Sequence, residues 1–160
     1  MDDRLFRTTM SKFATGVTVI TTEIDGEFRG MTANAFMSVS LDPKLILISV
    51  GNQAKMKGYI DQAGMFAVNV LSHEQENVSK QFAGQIKDDR AATFSTFAGL
   101  PVINDALASV ACDVYDTTVQ GDHTLYIGKV RDVVVTDADP LTFYSGKYGM
   151  ISSGESVPRS

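Results

Sequence analysis

The chain has 160 residues, of which 44% are hydrophobic and 21% charged, and its formal net charge at pH 7 is −5. These proportions are typical of a single globular domain and argue against a disordered chain. They also argue against nucleic acid as a partner, because phosphate binding needs a clustered basic surface and the 14 lysines and arginines are scattered.

Cys112 is the only cysteine, so the chain can form neither an internal disulfide nor a cysteine-based metal site. The acidic first four residues are not followed by an apolar run of signal-peptide length. The longest apolar stretches, such as residues 45–50, are too short to span a bilayer. We therefore expect a cytoplasmic protein.

A hairpin of two strands begins the predicted fold. Residues 13–21 are rich in β-branched side chains, and Asp25-Gly26 is a typical hairpin turn. Small and polar residues interrupt the second strand over residues 31–37, which predicts a break or a close approach to the backbone. The apolar run at residues 45–50 predicts a strand buried on both faces, and residues 65–70 predict another strand.

Two helices are predicted in the middle of the chain. Asn52 is positioned to cap a first helix, which Gly64 would end. Ser72 and Gln75 have the spacing of a capping box, so we expect a second helix that ends near residues 83–84.

A long hairpin is predicted in the last third of the chain. The polar residues 85–92 predict an exposed loop, and Leu100-Pro101 predicts a turn. Alternation over residues 110–115 indicates a strand, and the turn at residues 120–122 leads into a second strand at residues 123–135. Since strands outnumber helices, we predict a mainly β (α+β) fold, a β-barrel with two packed helices.

Several common catalytic motifs are missing from the sequence. His73 and His123 do not lie in a zinc-binding spacing, so no metal site is expected. The nucleotide-binding motifs GxGxxG and GxxxxGK[ST] are absent, and so is the GxSxG of acyl-transfer enzymes. A different scaffold must therefore hold any cofactor.

The sequence of residues 30–40, GMTANAFMSVS, combines small side chains with hydrogen-bonding groups. An isoalloxazine ring needs such partners along its pyrimidine edge. Composition alone, however, favours a polar edge strand over a ring-binding site. Residues 49–55, SVGNQAK, lead from a strand into a helix start, where free amides and Lys55 suit a phosphate group. A solvated lysine is an equally good interpretation of Lys55.

Two further segments suit a nicotinamide nucleotide. His123 begins a strand directly after a turn and could point into a cleft, although a lone histidine is more often a surface residue. Residues 143–149, FYSGKYG, mix aromatic side chains with a glycine and a lysine. Such a segment could stack on a dinucleotide or form a terminal strand.

Taken in this order, the segments resemble the short flavin reductases, which have the FMN-binding split-barrel fold. The motifs that carry the resemblance are FATGVTVITT, GMTANAF, SVSLDP and GDHTLYIG. The similarity is greatest to the reductase components of two-component phenol and 4-hydroxyphenylacetate hydroxylases. It implies one flavin reductase-like domain over residues 1–150, and we expect residues 151–160 to form a flexible tail.

The resemblance assigns binding roles to residues in all four segments. It places the flavin ring and ribityl chain against Thr32, Ala33, Asn34, Ala35, Ser38, Ser40, Ser49 and Val50. It places the flavin phosphate at Ala54 and Lys55, with the turn Phe82, Ala83 and Gly84 close to the flavin. It places the nicotinamide nucleotide at His123, Tyr144, Ser145, Gly146 and Lys147, with His123 as the catalytic residue. Many relatives carry a serine at the position of Ala54, so phosphate binding would rely more on Lys55 and backbone amides.

The implied activity is hydride transfer from C4 of NADH to N5 of FAD (or FMN), with the protein contributing geometry rather than an acid or base. The reduced flavin would then serve a separate flavin-dependent aromatic monooxygenase. Members of the family are usually homodimers. The alternative is a non-catalytic flavin-binding or electron-carrier protein of the same fold, which would need no nicotinamide site.

Overall fold

A computed structural model describes residues 1–151. The expected tail therefore lies, apart from residue 151, outside the described residues. The helices are α1 (Asp3–Met10), α2 (Lys55–Ala63) and α3 (Glu76–Phe82), and one turn of 3-10 helix, His73–Gln75, precedes α3. The strands are β1 (Thr15–Gly16), β2 (Thr18–Ile24), β3 (Glu27–Ala33), β4 (Phe36–Leu41), β5 (Lys44–Gly51), β6 (Met65–Val70), β7 (Phe94–Phe97), β8 (Leu100–Ile103), β9 (Ala108–Gln120), β10 (His123–Val135), β11 (Leu141–Tyr144) and β12 (Lys147–Met150).

Seven strands form one antiparallel sheet in the order β3-β2-β6-β9-β10-β5-β4. Its two edges, β3 and β4, are separated in the chain by Asn34 and Ala35 alone. Three Cα-to-Cα steps, about 11 Å at most, therefore join opposite edges of the sheet. The sheet has to curl until its edges approach each other at this end. The mainly β prediction is confirmed, and so is the break expected within residues 31–37.

The main core lies inside the curled sheet. Its buried side chains come from five strands and from α2, and they are Ile20, Ile46, Ile48, Val50, Met56, Ile60, Phe66, Val68, Cys112 and Tyr126. The prediction that residues 45–50 are buried on both faces is wrong. Buried and half-buried residues alternate along β5, because its second face is only partly covered beside the edge strand β4.

The predicted helices are present, with one correction. Gly64 ends α2 in a left-handed conformation, φ 68°, and the capping box of Ser72 and Gln75 forms as predicted. Asn52 does not cap α2, because its Oδ1 atom accepts a hydrogen bond from Thr124 Oγ1 at 2.6 Å. The N-cap residue is Ala54, which has no side-chain acceptor to offer.

An N-terminal helix, α1, was not expected from the sequence. The Asp2 carboxylate caps it by accepting from the backbone N–H of Leu5 at 2.6 Å. None of its residues is buried, so this helix does not pack into the core of its own chain. No helix within residues 1–151 is long and apolar enough to cross a bilayer.

The last third of the fold departs from the prediction at residues 94–103, where an unpredicted hairpin of β7 and β8 forms. Leu100 and Pro101 lie within β8, and the turn is made instead by Ala98 and Gly99, both with positive φ. The predicted long hairpin is confirmed as β9 and β10, and β11 and β12 form a second hairpin after it.

A buried asparagine connects four strands. Asn69 on β6 has no exposed surface, and all of its side-chain hydrogen-bonding capacity is used. Its Nδ2 group donates to Val19 O and Thr21 Oγ1, both at 3.0 Å. Its Oδ1 atom accepts from the Ile103 backbone N–H at 3.0 Å and from Ser109 Oγ at 2.8 Å. A fully satisfied buried group of this kind fixes the relative register of β2, β6, β8 and β9.

We expect Asn69→Ala to lower the free energy of unfolding by roughly 2–4 kcal/mol, because it leaves buried partners without hydrogen bonds. Urea unfolding followed by circular dichroism measures the difference. The matched control is Asn77→Ala on the exposed side of α3, which should change stability by no more than about 0.5 kcal/mol. Equal losses in the two variants would contradict a structural role for the Asn69 network.

Candidate functional site

The break between β3 and β4 leaves short side chains facing solvent. Asn34 and Ala35 are both exposed. The Asn34 side-chain amide donates to Thr15 Oγ1 at 3.3 Å, and the Ala35 carbonyl accepts from the Ser49 backbone N–H at 3.2 Å. Ser49 therefore lies beside the break. A flat polar ligand fits here, since little side-chain volume blocks the backbone and an amide is available for hydrogen bonding.

The end of β3 and the turn after α3 meet at a shared cavity. Thr32 Oγ1 donates to the Ser79 carbonyl of α3 at 2.7 Å, which holds the helix against the strand. Thr32, Ala33 and Asn34 line a cavity of about 150 Å³ together with Ala83. Four of the predicted flavin contacts are therefore neighbours in space, although some fifty residues separate Ala83 from the other three in the chain.

Phe82 and Gly84 shape this turn and are not among the described residues that line the cavity. The Phe82 ring packs so closely over β3 that a Cβ atom at Gly30 would lie 2.7 Å from it. Gly84 follows the end of α3 with φ 74°, a conformation that favours glycine. Together they present Ala83 to the cavity.

Three predicted ring contacts lie differently. Ser38 and Ser40 flank a register shift between β4 and β5, and neither lines the cavities that contain Thr32 or Asn34. Val50 has no exposed surface and packs in the core. Any contact between Val50 and a ligand would therefore involve its backbone.

The start of α2 carries the predicted phosphate ligands. Lys55 is the first residue of the helix and is exposed, and the backbone N–H of Ala54 donates to the Gly51 carbonyl at 2.9 Å. Lys55 forms no ion pair with any residue of the described range 1–151. Its charge is therefore available to an anion next to the positive end of the helix.

The β9–β10 turn is held against this same loop. The backbone N–H of Asn52 donates to the Asp122 carbonyl at 2.9 Å. His123 pairs with Gly51 across the β5–β10 ladder, so the predicted catalytic histidine lies close to the predicted phosphate loop. The hydrogen bond between His123 Nδ1 and Asp122 Oδ1 is 2.7 Å long, and it lowers the pKa of the Asp122 carboxyl. The carboxylate orients the ring and leaves Nε2 for another partner.

The segment 144–147 is a tight hairpin turn. Ser145 and Gly146 have φ 49° and 78°, which is typical of a two-residue type I′ turn. The Ser145 backbone N–H donates to the Ser11 carbonyl at 3.1 Å, and Lys12 Nζ lies 5.8 Å from the centroid of the Tyr144 ring. Within residues 1–151 no hydrogen bond or ion pair joins this turn to His123. A single chain therefore does not link the predicted nicotinamide contacts directly.

An apolar cavity of about 630 Å³ lies on the other side of Asn34. Phe13, Phe36, Met37 and Leu47 are among its lining residues, and Phe13 is 76% exposed. Asn34 lines both this cavity and the smaller one beside Thr32. Asn34 therefore lies where the polar edge of a bound ring would meet the apolar side chains that cover the rest of that ring.

Two structural features of the site had only weak signals in the sequence. Tyr148 OH is 2.8 Å from Ser79 Oγ and lines the cavity beside Thr32. Arg29 lies next to the GMTANAF motif and shares a separate cleft with Lys55. Tyr148 belongs to the segment 143–149, but nothing in the sequence indicated a role for it at the flavin site, and Arg29 lies just outside the GMTANAF motif.

Comparisons with known proteins identify the family. Residues 10–152 match the family described as flavin reductase like domain. The chain belongs to this family, which confirms the resemblance found in the sequence.

Individual relatives agree with this assignment. An NADH-dependent flavin reductase of Rhodococcus sp is 41% identical over 145 residues, which cover 89% of this chain and 82% of the relative. The reductase component of 4-hydroxyphenylacetate 3-monooxygenase from Thermus thermophilus is 36% identical over 89% of this chain and 93% of its own. The solved structure of the flavin reductase PheA2 in its native state is 56% identical, with a TM-score of 0.93 over 96% of this chain and all of that one.

Proposed function

We propose that this chain is an NADH-dependent flavin reductase that supplies reduced FAD (or FMN) to a separate flavin-dependent monooxygenase of aromatic, phenol-type substrates. The observation that carries the proposal is the exposed break at Asn34 and Ala35, where Asn34 lines both the small cavity beside Thr32 and the larger apolar cavity beside Phe13. Relatives that match over most of their length are named as flavin reductases and as reductase components of monooxygenases. We assign the curled sheet to the FMN-binding split-barrel fold.

The side chains at the break would position the flavin ring rather than take part in proton transfer. The Thr32 hydroxyl, which donates to Ser79, can still accept a hydrogen bond, and the Asn34 amide keeps one N–H beside the one that it donates to Thr15. Ser49 adds a hydroxyl group for the polar edge of the flavin. Lys55 and the amides at the start of α2 would hold its phosphate. When bound, the flavin supplies the acceptor for the hydride of NADH. Positioning of two ligands against each other is a sufficient catalytic contribution for such a reaction.

His123 is proposed to hold the nicotinamide nucleotide. The Asp122 carboxylate fixes one side of its ring, so Nε2 can contact a ligand with little loss of side-chain freedom. The turn of Tyr144, Ser145, Gly146 and Lys147 is proposed to contact the same nucleotide. Since no hydrogen bond or ion pair joins the turn to His123 within residues 1–151, we assign one of these contacts to a second copy of the chain.

A homodimer is supported by the apolar surface of the N-terminal segment. Leu5, Phe6 and Met10 on α1 are each more than half exposed, and Phe13 follows them. Large apolar side chains on an amphipathic helix without a buried face are typical of an interface between chains. The dimer would act in the cytoplasm together with its monooxygenase through the exchanged flavin.

The reductase activity is tested by mixing the purified protein anaerobically with NADH and either FAD or FMN. We expect catalytic loss of the oxidised flavin's visible absorption, with the rates ranking the two flavins. Flavin binding without bleaching would contradict the reductase and favour the non-catalytic carrier.

His123→Ala should raise the KM for NADH about tenfold, the effect of losing roughly one positioning contact, while the Kd for flavin changes less than about twofold. Steady-state kinetics and fluorescence titration measure these two constants. His73→Ala is the matched control, because His73 contacts the backbone of Asp139 on another part of the surface. A parallel loss of flavin affinity in His123→Ala would place His123 in the flavin site instead.

The dimer is tested by Phe6→Glu, which puts a charge on the apolar face of α1. We expect sedimentation equilibrium to show a dimer for the unchanged protein and dissociation towards the monomer for this variant. Arg4→Glu changes the charge of the same helix without removing an apolar side chain and should leave the dimer intact. A monomeric unchanged protein would refute the assignment.

A further inference from the structure

The turn between β9 and β10 extends beyond the last residue pair of the β5–β10 ladder, and Asn52 holds it there. The ladder ends at the pair of Gly51 and His123. Past this pair, the backbone N–H of Asn52 donates to the Asp122 carbonyl at 2.9 Å, and its side-chain Nδ2 donates to the Gly121 carbonyl at 3.4 Å. Asn52 therefore contacts the turn through both its main chain and its side chain.

The shortest contact between Asn52 and this hairpin has a buried partner. Thr124 has no exposed surface, and its Oγ1 atom donates to Asn52 Oδ1 at 2.6 Å. By contrast, the Asp122 carboxylate that bonds to His123 Nδ1 is 96% exposed. Solvent and salt weaken an exposed pair of this kind, whereas a hydrogen bond to a buried group is stronger in the lower local dielectric. The position of the turn therefore depends on Asn52 and Thr124, and Asp122 only orients the ring.

The ring nitrogen of His123 that Asp122 leaves free lies next to the loop that begins α2. A Cβ atom placed at Gly51 would be 3.9 Å from His123 Nε2. From Gly51 the loop turns into the helix through a hydrogen bond from the Ala54 N–H to the Gly51 carbonyl at 2.9 Å, and Lys55 follows. Nε2 and the start of α2 therefore belong to one hydrogen-bonded unit, which Asn52 joins.

We propose that Asn52 is a positioning residue for the nicotinamide nucleotide. Together with Thr124, it holds the β9–β10 turn so that His123 Nε2 lies beside the loop of the flavin phosphate. A nucleotide bound by His123 is then held on the same side of the molecule as the flavin. Asn52 acts through His123 and does not itself contact the nucleotide. This inference deepens the proposed function of the chain as a flavin reductase and rests on it.

The first test removes each partner of the hydrogen bond between Thr124 and Asn52. Asn52→Ala and Thr124→Val should each raise the KM for NADH about fivefold, because a loosened turn has to be ordered again when the nucleotide binds. The kcat and the Kd for riboflavin should change less than about twofold. Thr124→Ser keeps the hydroxyl group and should retain the KM of the unchanged protein. Steady-state kinetics and fluorescence titration measure these constants.

The second test asks whether the effect passes through His123. In a His123→Ala background, Asn52→Ala should raise the KM for NADH by no more than about 1.5-fold further, because the group that it positions is already gone. Two measurements need neither flavin nor turnover. Hydrogen–deuterium exchange of residues 119–124 should be faster in Asn52→Ala and Thr124→Val, and calorimetry should show that both variants bind NAD⁺ more weakly.

Thr22→Val is the matched control. Thr22 is likewise without exposed surface, and its Oγ1 atom donates to the Met65 carbonyl at 2.8 Å in another part of the sheet. This variant should lose about as much thermal stability as Thr124→Val, yet leave the KM for NADH and the exchange of residues 119–124 unchanged. If Asn52→Ala does not fold, the isosteric Thr124→Val and its partner Thr124→Ser carry the same comparison.

Three outcomes would overturn the inference while leaving the proposed function intact. Additive losses in the Asn52 and His123 variants would show that Asn52 acts independently of His123. An unchanged KM in Asn52→Ala and Thr124→Val, despite faster exchange of the turn, would make their hydrogen bond purely structural. A loss of FMN affinity as large as the loss of NADH affinity would assign Asn52 to the flavin phosphate loop. Failure of the unchanged protein to oxidise NADH in the presence of flavin would instead refute the proposed function.

Discussion

The structure depends on a two-residue connection between the opposite edges of its main sheet. Asn34 and Ala35 join β3 to β4, which are the first and the last of seven strands in space. Because the connection is short, the sheet must curl, and the curl encloses the core beneath α2. The same connection carries only short, exposed side chains and makes one backbone hydrogen bond to β5, from the Ser49 N–H to the Ala35 carbonyl, so it remains open to a ligand. One constraint therefore produces both the fold and the position of the site.

The charged groups of the site are distributed around that opening. The chain as a whole is acidic, yet Lys55 and Arg29 border one cleft, where the sum of their charges favours an anion. The β9–β10 turn is fixed to the same loop through Asn52, which brings His123 alongside Gly51. A flavin with one or two phosphates and a nicotinamide nucleotide are both anions, so local charge rather than net charge decides binding.

The N-terminal segment carries the apolar surface on which the proposed homodimer rests. The apolar face of α1 and the cavity beside Phe13 have no cover within residues 1–151, and the turn at residues 144–147 contacts the segment that follows α1. A second copy packed against α1 would therefore also lie next to the turn at residues 144–147. In the proposed dimer, assembly would therefore also complete the proposed nucleotide site.

Local pattern and local backbone conformation were enough to predict six of the seven strands of the main sheet, the β9–β10 hairpin, the end of α2 at Gly64 and the capping box of Ser72. The sequence also contained the motifs that indicate the family. Only the tertiary structure decided that β3 and β4 are opposite edges, that Asn52 bonds to Thr124 rather than capping α2, and that Arg29 and Lys55 share a cleft. These features join residues far apart in the chain, and no local periodicity encodes such pairings. The helix α1 was not predicted either. Its apolar side chains do not pack into the core of residues 1–151, so it does not belong to the pattern of core-forming elements.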